Sequence, residues 1–167
     1  KSTLKILPTP PARIFKGEIF FKGADILKMS ARDIRKVRAQ GIAMIFQDPT
    51  AALNPVFTIG EQMMDAIKYS SLSNSLSKKE RRARALLALR DVALPDSARI
   101  LKNYPIQLSG GMRQRICIAM ALATDSQLLI ADEPTTSLDV TIQDQVLRLL
   151  GKLVTEKETS TILITHS

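Results

Sequence analysis

Sulfur, aromatic rings and long apolar runs are all scarce in this sequence, and each scarcity removes a class of protein. A single cysteine, Cys117, in 167 residues excludes an internal disulfide. Its place inside an apolar helical stretch marks it as a small buried hydrophobe rather than a reactive thiol, which suits a reducing cytoplasm. Aromatic residues make up 4% of the chain, leaving little for stacking nucleic-acid bases. The apolar runs reach only strand length and no signal-peptide pattern opens the chain, so we expect no membrane-spanning helix and a domain soluble by itself. Internal repeats, zinc-ligand spacings and nucleophile elbows are absent too.

What is present supports one core. A chain of 167 residues that is 45% hydrophobic has about the size of a single domain. The formal charge of +8 raises nucleic acid as a partner, but the densest basic run, Lys78, Lys79, Arg81, Arg82 and Arg84, opens a helix with few aromatics nearby. A solvated helix face is the better reading, with attraction to anionic lipid headgroups as the alternative. No nucleic-acid partner is expected.

Local signals punctuate the chain. Gly17 to Gly23 encloses a short strand leading into a turn. Ser30 with Asp33, Thr58 with Glu61 and Ser77 with Glu80 have capping-box spacing and open three helices, the first with Ile34 and Val37 inward. Ile42 to Phe46 reads as a buried strand, and Ser70 to Ser77 as a connection. The span from about Thr58 to Tyr104 therefore predicts a helical subdomain inserted between two strands, stopped by Pro105. A helix from about Met112 to Thr124 carries an apolar stripe of Ile116, Ala119, Met120 and Ala123. A longer one from about Thr141 to Glu158 turns Val146, Leu149, Leu150 and Leu153 inward, and Thr161 to Thr165 is the last strand.

The chemistry gathers at strand ends. Leu128 to Ala131 is apolar throughout, as a strand buried on both faces of a parallel sheet would be. It delivers Asp132 and Glu133 to the carboxyl edge, where open α/β sheets bind ligands. Taken alone, Asp-Glu-Pro reads as a solvated strand end turned by Pro134. Upstream stands Leu108-Ser109-Gly110-Gly111, a glycine turn whose bare backbone N–H groups at a helix start suit an anion.

Together with Ser137-Leu138-Asp139 and His166, these motifs follow the order and approximate spacing of the ATP-binding cassette (ABC) ATPases, and essentially the whole chain resembles that family. Ile45 to Pro55 resembles the Q-loop of oligopeptide, dipeptide and nickel importers. Ile106-Gln107 departs from the His-Glu often preceding the signature turn, and Ser167 from the Asp often following the final histidine. Lys1-Ser2-Thr3 matches the end of a P-loop, G-x-x-x-x-G-K-[ST], so that the chain is expected to begin mid-motif and a short helix to run on to about Leu7 before Pro8, Pro10 and Pro11.

The resemblance implies an α/β P-loop NTPase with a parallel core sheet and an inserted helical subdomain, residues 1–57 and 105–167 forming the catalytic core and 58–104 the insert. The N-terminal strands and most of the P-loop are expected to be missing. It implies ATP and Mg²⁺ as ligands and an importer of peptides or a related small solute. Glu133, His166 and Gln47 are then catalytic, and Ser2, Gln47 and Asp132 hold the metal. Lys1, Ser2, Thr3, Gln47, Ser109, Gly110, Gly111, Asp139 and His166 contact nucleotide, some of it held by a second cassette in a homo- or heterodimer. Transmembrane permease subunits would be direct partners and a solute-binding protein an indirect one, at the cytoplasmic face of the membrane. The rival readings are a non-transport ABC protein acting on DNA or ribosomes, which only the basic charge supports, and an inactive truncation product. The chain by itself is expected to bind Mg·ATP poorly, and the last strand to form an open edge of a sheet ordered 42–46, 128–132, 161–165.

Overall fold

The computed structural model describes residues 2–7, 10–70, 76–135, 140–156 and 159–166. An antiparallel hairpin of β1 (Phe20–Phe21) and β2 (Ala24–Asp25) comes first. Its turn residues, Lys22 and Gly23, both have positive φ, 51° and 78°, as a two-residue type I′ turn requires. Helix α1 (Ala31–Gln40) is capped by Ser30, whose hydroxyl accepts the Asp33 N–H, and runs through Gly41 directly into β3 (Ile42–Ile45). Next come a four-residue turn of helix, α2 (Pro49–Ala52), then α3 (Ile59–Lys68), α4 (Lys78–Asp91) and the short α5 (Ser97–Ile100). Helix α6 (Gly110–Ala123), strand β4 (Leu128–Asp132), helix α7 (Val140–Glu156) and strand β5 (Ser160–Ile164) complete the chain.

The three longer strands form a parallel sheet in the order β3-β4-β5, with Ile42 opposite Leu128 and Leu128 opposite Ser160. Among the described residues that is the order the family resemblance implies. The boxes at Thr58/Glu61 and Ser77/Glu80 are both closed reciprocally, and the hydrogen bonds from Thr58 and Ser77 hold both glutamates below the usual carboxylate range.

Strand alternation sorts the core into two layers. On one face Ile42 and Ile130 pack with Leu4, Ile26 and Ile34. On the other, Ile45, Leu129 and Ala131 join α6 through Ile116 and Ile118, and the same cluster continues without a break into Ile59, Met63, Ile67 and Leu89 of α3 and α4. The helices between β3 and β4 thus share their apolar interior with the sheet. Val146 and Leu150 of α7 are buried in this cluster and Leu149 packs against it, whereas the Leu153 side chain lies outside what is described. Cys117 is buried as expected, and burial, with the Asp48 charge adding to it, pushes its thiol up to about 12.

Some boundaries differ from expectation for local reasons. The first helix is a 3-10 turn, Ser2–Leu4, rather than a helix to Leu7, because Lys5 takes φ 49° and leaves the helical region before the prolines are reached. Strand β3 ends one residue early, at Ile45. Helix α6 starts at Gly110 because the Ser109 hydroxyl caps it by accepting the Met112 N–H. None of the helices among the described residues is long and apolar enough to cross a membrane.

Candidate active site

At the carboxyl edge of the sheet two side chains converge on one carboxylate. Phe46 and Gln47 follow β3, and Gln47 Nε2 donates to Glu133 Oε2 at 2.7 Å. His166, two residues past β5, brings Nδ1 to 3.0 Å from Glu133 Oε1. Both oxygens of Glu133 are therefore held, by groups arriving from the two strands that flank β4. Asp132, the last residue of β4, precedes it in the chain.

Glu133 owes its place to the backbone. Its φ is 46°, in the left-handed region where a residue other than glycine costs on the order of 1 kcal/mol. Its N–H donates to the Ile164 carbonyl at 2.9 Å, extending the β4–β5 ladder by one step, and Pro134 behind it is buried. The kink ends the strand's alternation at the carboxylate. The Glu133 side chain is 22% exposed and that of His166 66%, so the carboxylate sits in a recess with the imidazole at its mouth. A carboxylate held in this way can accept a proton from a water in front of it. Sequence reasoning assigned Gln47 to a metal or to water and missed its bond to Glu133; it also missed the backbone strain at Glu133.

Asp132 and the amide oxygen of Gln47 offer hard oxygen donors at this edge, the type Mg²⁺ prefers, and Mg²⁺ ordinarily takes only one or two protein ligands beside phosphate and water. Among the described residues no group of three or more His, Cys, Asp or Glu could enclose a metal by itself, so the residues fit an ion shared with a phosphate rather than a caged one.

The other expected site residues lie elsewhere. Ser109, Gly110 and Gly111 form the start of α6, and a Cβ built at Gly110 would meet nothing within 4 Å. Internal packing therefore does not demand glycine there, and the turn is open to approach from outside. Ser2 and Thr3 lie in the 3-10 turn Ser2–Leu4. The carbonyls that follow them, of Leu4 and Lys5, accept Arg38 Nε and Nη2 at 2.7 and 2.8 Å. Arg38 stands at the end of α1 that feeds the amino end of β3, opposite Gln47 along the strand. Lys1 and the Ser137-Leu138-Asp139 segment lie outside the described residues.

With this geometry in view, the likenesses to known proteins agree with one another. The sequence profile of the ABC transporter family matches residues 1–136. A probable peptide ABC transporter ATP-binding protein of Sinorhizobium fredii is 49% identical over 99% of the chain and 48% of its own length. A dipeptide transport ATP-binding protein of Bacillus subtilis is 46% identical over 99% of the chain and 49% of its own length. The chain thus spans about half the length of the curated relatives it matches. Among solved structures, a dimeric bacterial ABC transporter cassette superposes with a TM-score of 0.80 at 31% identity, covering 92% of this chain and 64% of that one. An ATP-binding cassette dimer in a post-hydrolysis state, bound to ADP and Pi, superposes at 0.79 with the same identity and coverage. A parallel sheet that presents Gln47, Asp132, Glu133 and His166 at one edge, matched in profile, sequence and shape, places the chain in the ABC transporter family, as part of an α/β ATP-binding cassette with the P-loop NTPase fold.

Proposed function

We propose that the protein is the ATP-hydrolysing subunit of an importer that couples Mg·ATP hydrolysis to uptake of peptides or a related small solute. The observation carrying this reading is the double hold on Glu133 by Gln47 and His166. Glu133 takes the proton of the attacking water. Gln47, bonded to that carboxylate from the end of β3, registers whether phosphate is in place, and His166 at the mouth of the recess stabilises charge on the transferred phosphoryl group. Asp132 and the Gln47 amide oxygen hold Mg²⁺, which supplies neutralising charge at the phosphates. Residues 1–57 and 105–167 serve as the catalytic core and 58–104 as the insert facing the partners. The peptide and dipeptide transport roles in the relatives' names support the solute class.

The open Gly110 and the dimeric cassettes that superpose on this chain support a shared site, in which Ser109, Gly110 and Gly111 contact nucleotide held by a second cassette. Permease subunits have a candidate seat in an apolar groove of about 660 Å³. It is lined by Ile6 of the N-terminal segment, Arg38 of α1, Met44 and Phe46 at the sheet, Tyr69 after α3 and Met120 of α6. Docking there would place the protein peripherally on the cytoplasmic face of the membrane, with a solute-binding protein acting indirectly. The test is Ser109→Arg in a Glu133→Gln background. Nucleotide binding to one subunit is expected to persist while ATP-driven dimers vanish on sizing chromatography. Normal dimers would rule out the shared site.

A further inference from the structure

Two arginines fasten the helices between β3 and β4 to the rest of the molecule, and they do so differently. Arg84 of α4 donates Nε to the Ala123 carbonyl at 2.7 Å and pairs with Asp125, a link between the insert and the end of α6. Arg115, half-buried in the second turn of α6, reaches two elements at once. Its Nη1 donates to the Val92 carbonyl at 3.3 Å and its Nη2 to Gln145 Oε1 at 2.8 Å. Val92 is the C-cap of α4, where carbonyls lack intrahelical donors and the helix dipole favours a cation. Gln145 lies in the second turn of α7, whose first residue, Val140, directly follows Asp139.

We propose that Arg115 is a positioning residue that makes α4, the start of α6 and the start of α7 move as one unit, and so keeps the Ser109-to-Gly111 turn in register with the first turns of α7. The inference rests on the ATPase reading above. A guanidinium is suited to this task because its rigid fork satisfies two acceptors on separate elements, whereas an ammonium on a flexible stem loses the geometry. Rotation of the insert relative to the sheet must then carry Gln145 along or break its bond. The glycine turn belongs to the proposed shared site, so loosening the link affects turnover more than nucleotide capture by one subunit.

The experiment compares Arg115→Lys, Gln145→Leu and Gln145→Glu in steady-state ATP hydrolysis, with amide hydrogen exchange read in parallel. Arg115→Lys and Gln145→Leu are expected to lower kcat about tenfold with KM within about twofold, the scale of one hydrogen bond to a charged group. Exchange in the first turns of α7 should quicken in both. Gln145→Glu restores an acceptor for Arg115 and is expected to stay close to wild type in both readouts. Wild-type behaviour of Gln145→Leu, or a Gln145→Glu variant as impaired as Gln145→Leu, would overturn the proposal. If the intact wild-type protein releases no phosphate from ATP, the ATPase reading fails separately, and the exchange pattern still decides whether Arg115 ties α7 to α4.

Discussion

β3 and β5 flank the same central strand, yet they live in different surroundings. Behind β3, Ile45, Ile59, Met63, Ile67, Leu89 and Ile116 are all at 0% exposure, in one apolar body that runs from the sheet through α6 into α3 and α4. All five residues of β5 are exposed, with Ile162, Leu163 and Ile164 between 42% and 49%, and among the described residues the strand pairs with β4 alone. No charge or proline interrupts Ser160 to Thr165, the usual guards of a strand edge. Glu133 sits on the boundary between these halves. Gln47 reaches it from the packed side and His166 from the open side, while its own N–H is bonded to Ile164 of the edge strand. One arm of the proposed active site is thus as firm as the core, and the other is only as firm as the β4–β5 ladder.

Truncations in the two halves should separate them most strongly. Ile116→Ala, in the packed half, is expected to destabilise the fold by about 2–5 kcal/mol, the usual cost of a large core deletion. Ile162→Thr on β5 keeps a β-branched side chain at a half-exposed position and should cost under about 1 kcal/mol. Urea unfolding of both variants checks the contrast, and equal losses would mean that β5 is covered in solution.

Glycine substitutions sharpen the same contrast through their sign. A Cβ at Gly60 would stand 2.6 Å from the Leu101 carbonyl oxygen, where backbone cannot yield cheaply, so Gly60→Ala should destabilise by about 1–3 kcal/mol. Gly151 lies on the exposed side of α7 with nothing within 4 Å of its Cβ direction. There the same change should stabilise by about 0.5–1 kcal/mol through helix propensity. Thermal unfolding measures both, and two shifts of the same sign would remove the distinction.

The smallest expected effect is a pH slope from the packed half. The Cys117 thiol is raised from 9.0 to about 12 when folded, so it is protonated in both states below pH 9 and contributes its full share there. Between about 9 and 12 unfolding releases a proton, and stability should fall as pH rises. Cys117→Val should flatten that part of the stability curve, and an unchanged slope would place its origin elsewhere.

Elements with a strong local signal were legible in the sequence. Three Ser/Thr-x-x-Asp/Glu spacings located the starts of α1, α3 and α4, and unbroken apolar runs located β3 and β4, whereas the sheet order followed from the family resemblance. Elements lacking a period were missed: α2 and α5 are four residues each, too short to show a stripe, and α5 begins from Asp96 in a left-handed conformation at φ 49°. Gln47, Glu133 and His166 could be proposed together because they match the motifs of the ABC family, which the resemblance places at strand ends of one parallel sheet. Their mutual hydrogen bonds could not, because those depend on the kink at Glu133, which no spacing encodes. Similarly, the match of Lys1-Ser2-Thr3 to a P-loop was visible as letters, whereas the hold of Arg38 on the Leu4 and Lys5 carbonyls emerges only from packing.

The central claim is that Glu133, steadied from both sides of the sheet, is the base for ATP hydrolysis. Steady-state turnover of Glu133→Gln in the intact protein, beside its Mg·ATP affinity, tests it most directly. The amide keeps the shape and can still meet Gln47 and His166, but it cannot take a proton. Turnover is expected to fall by roughly 10²–10⁴-fold with affinity within about twofold, and wild-type turnover in this variant would contradict the account.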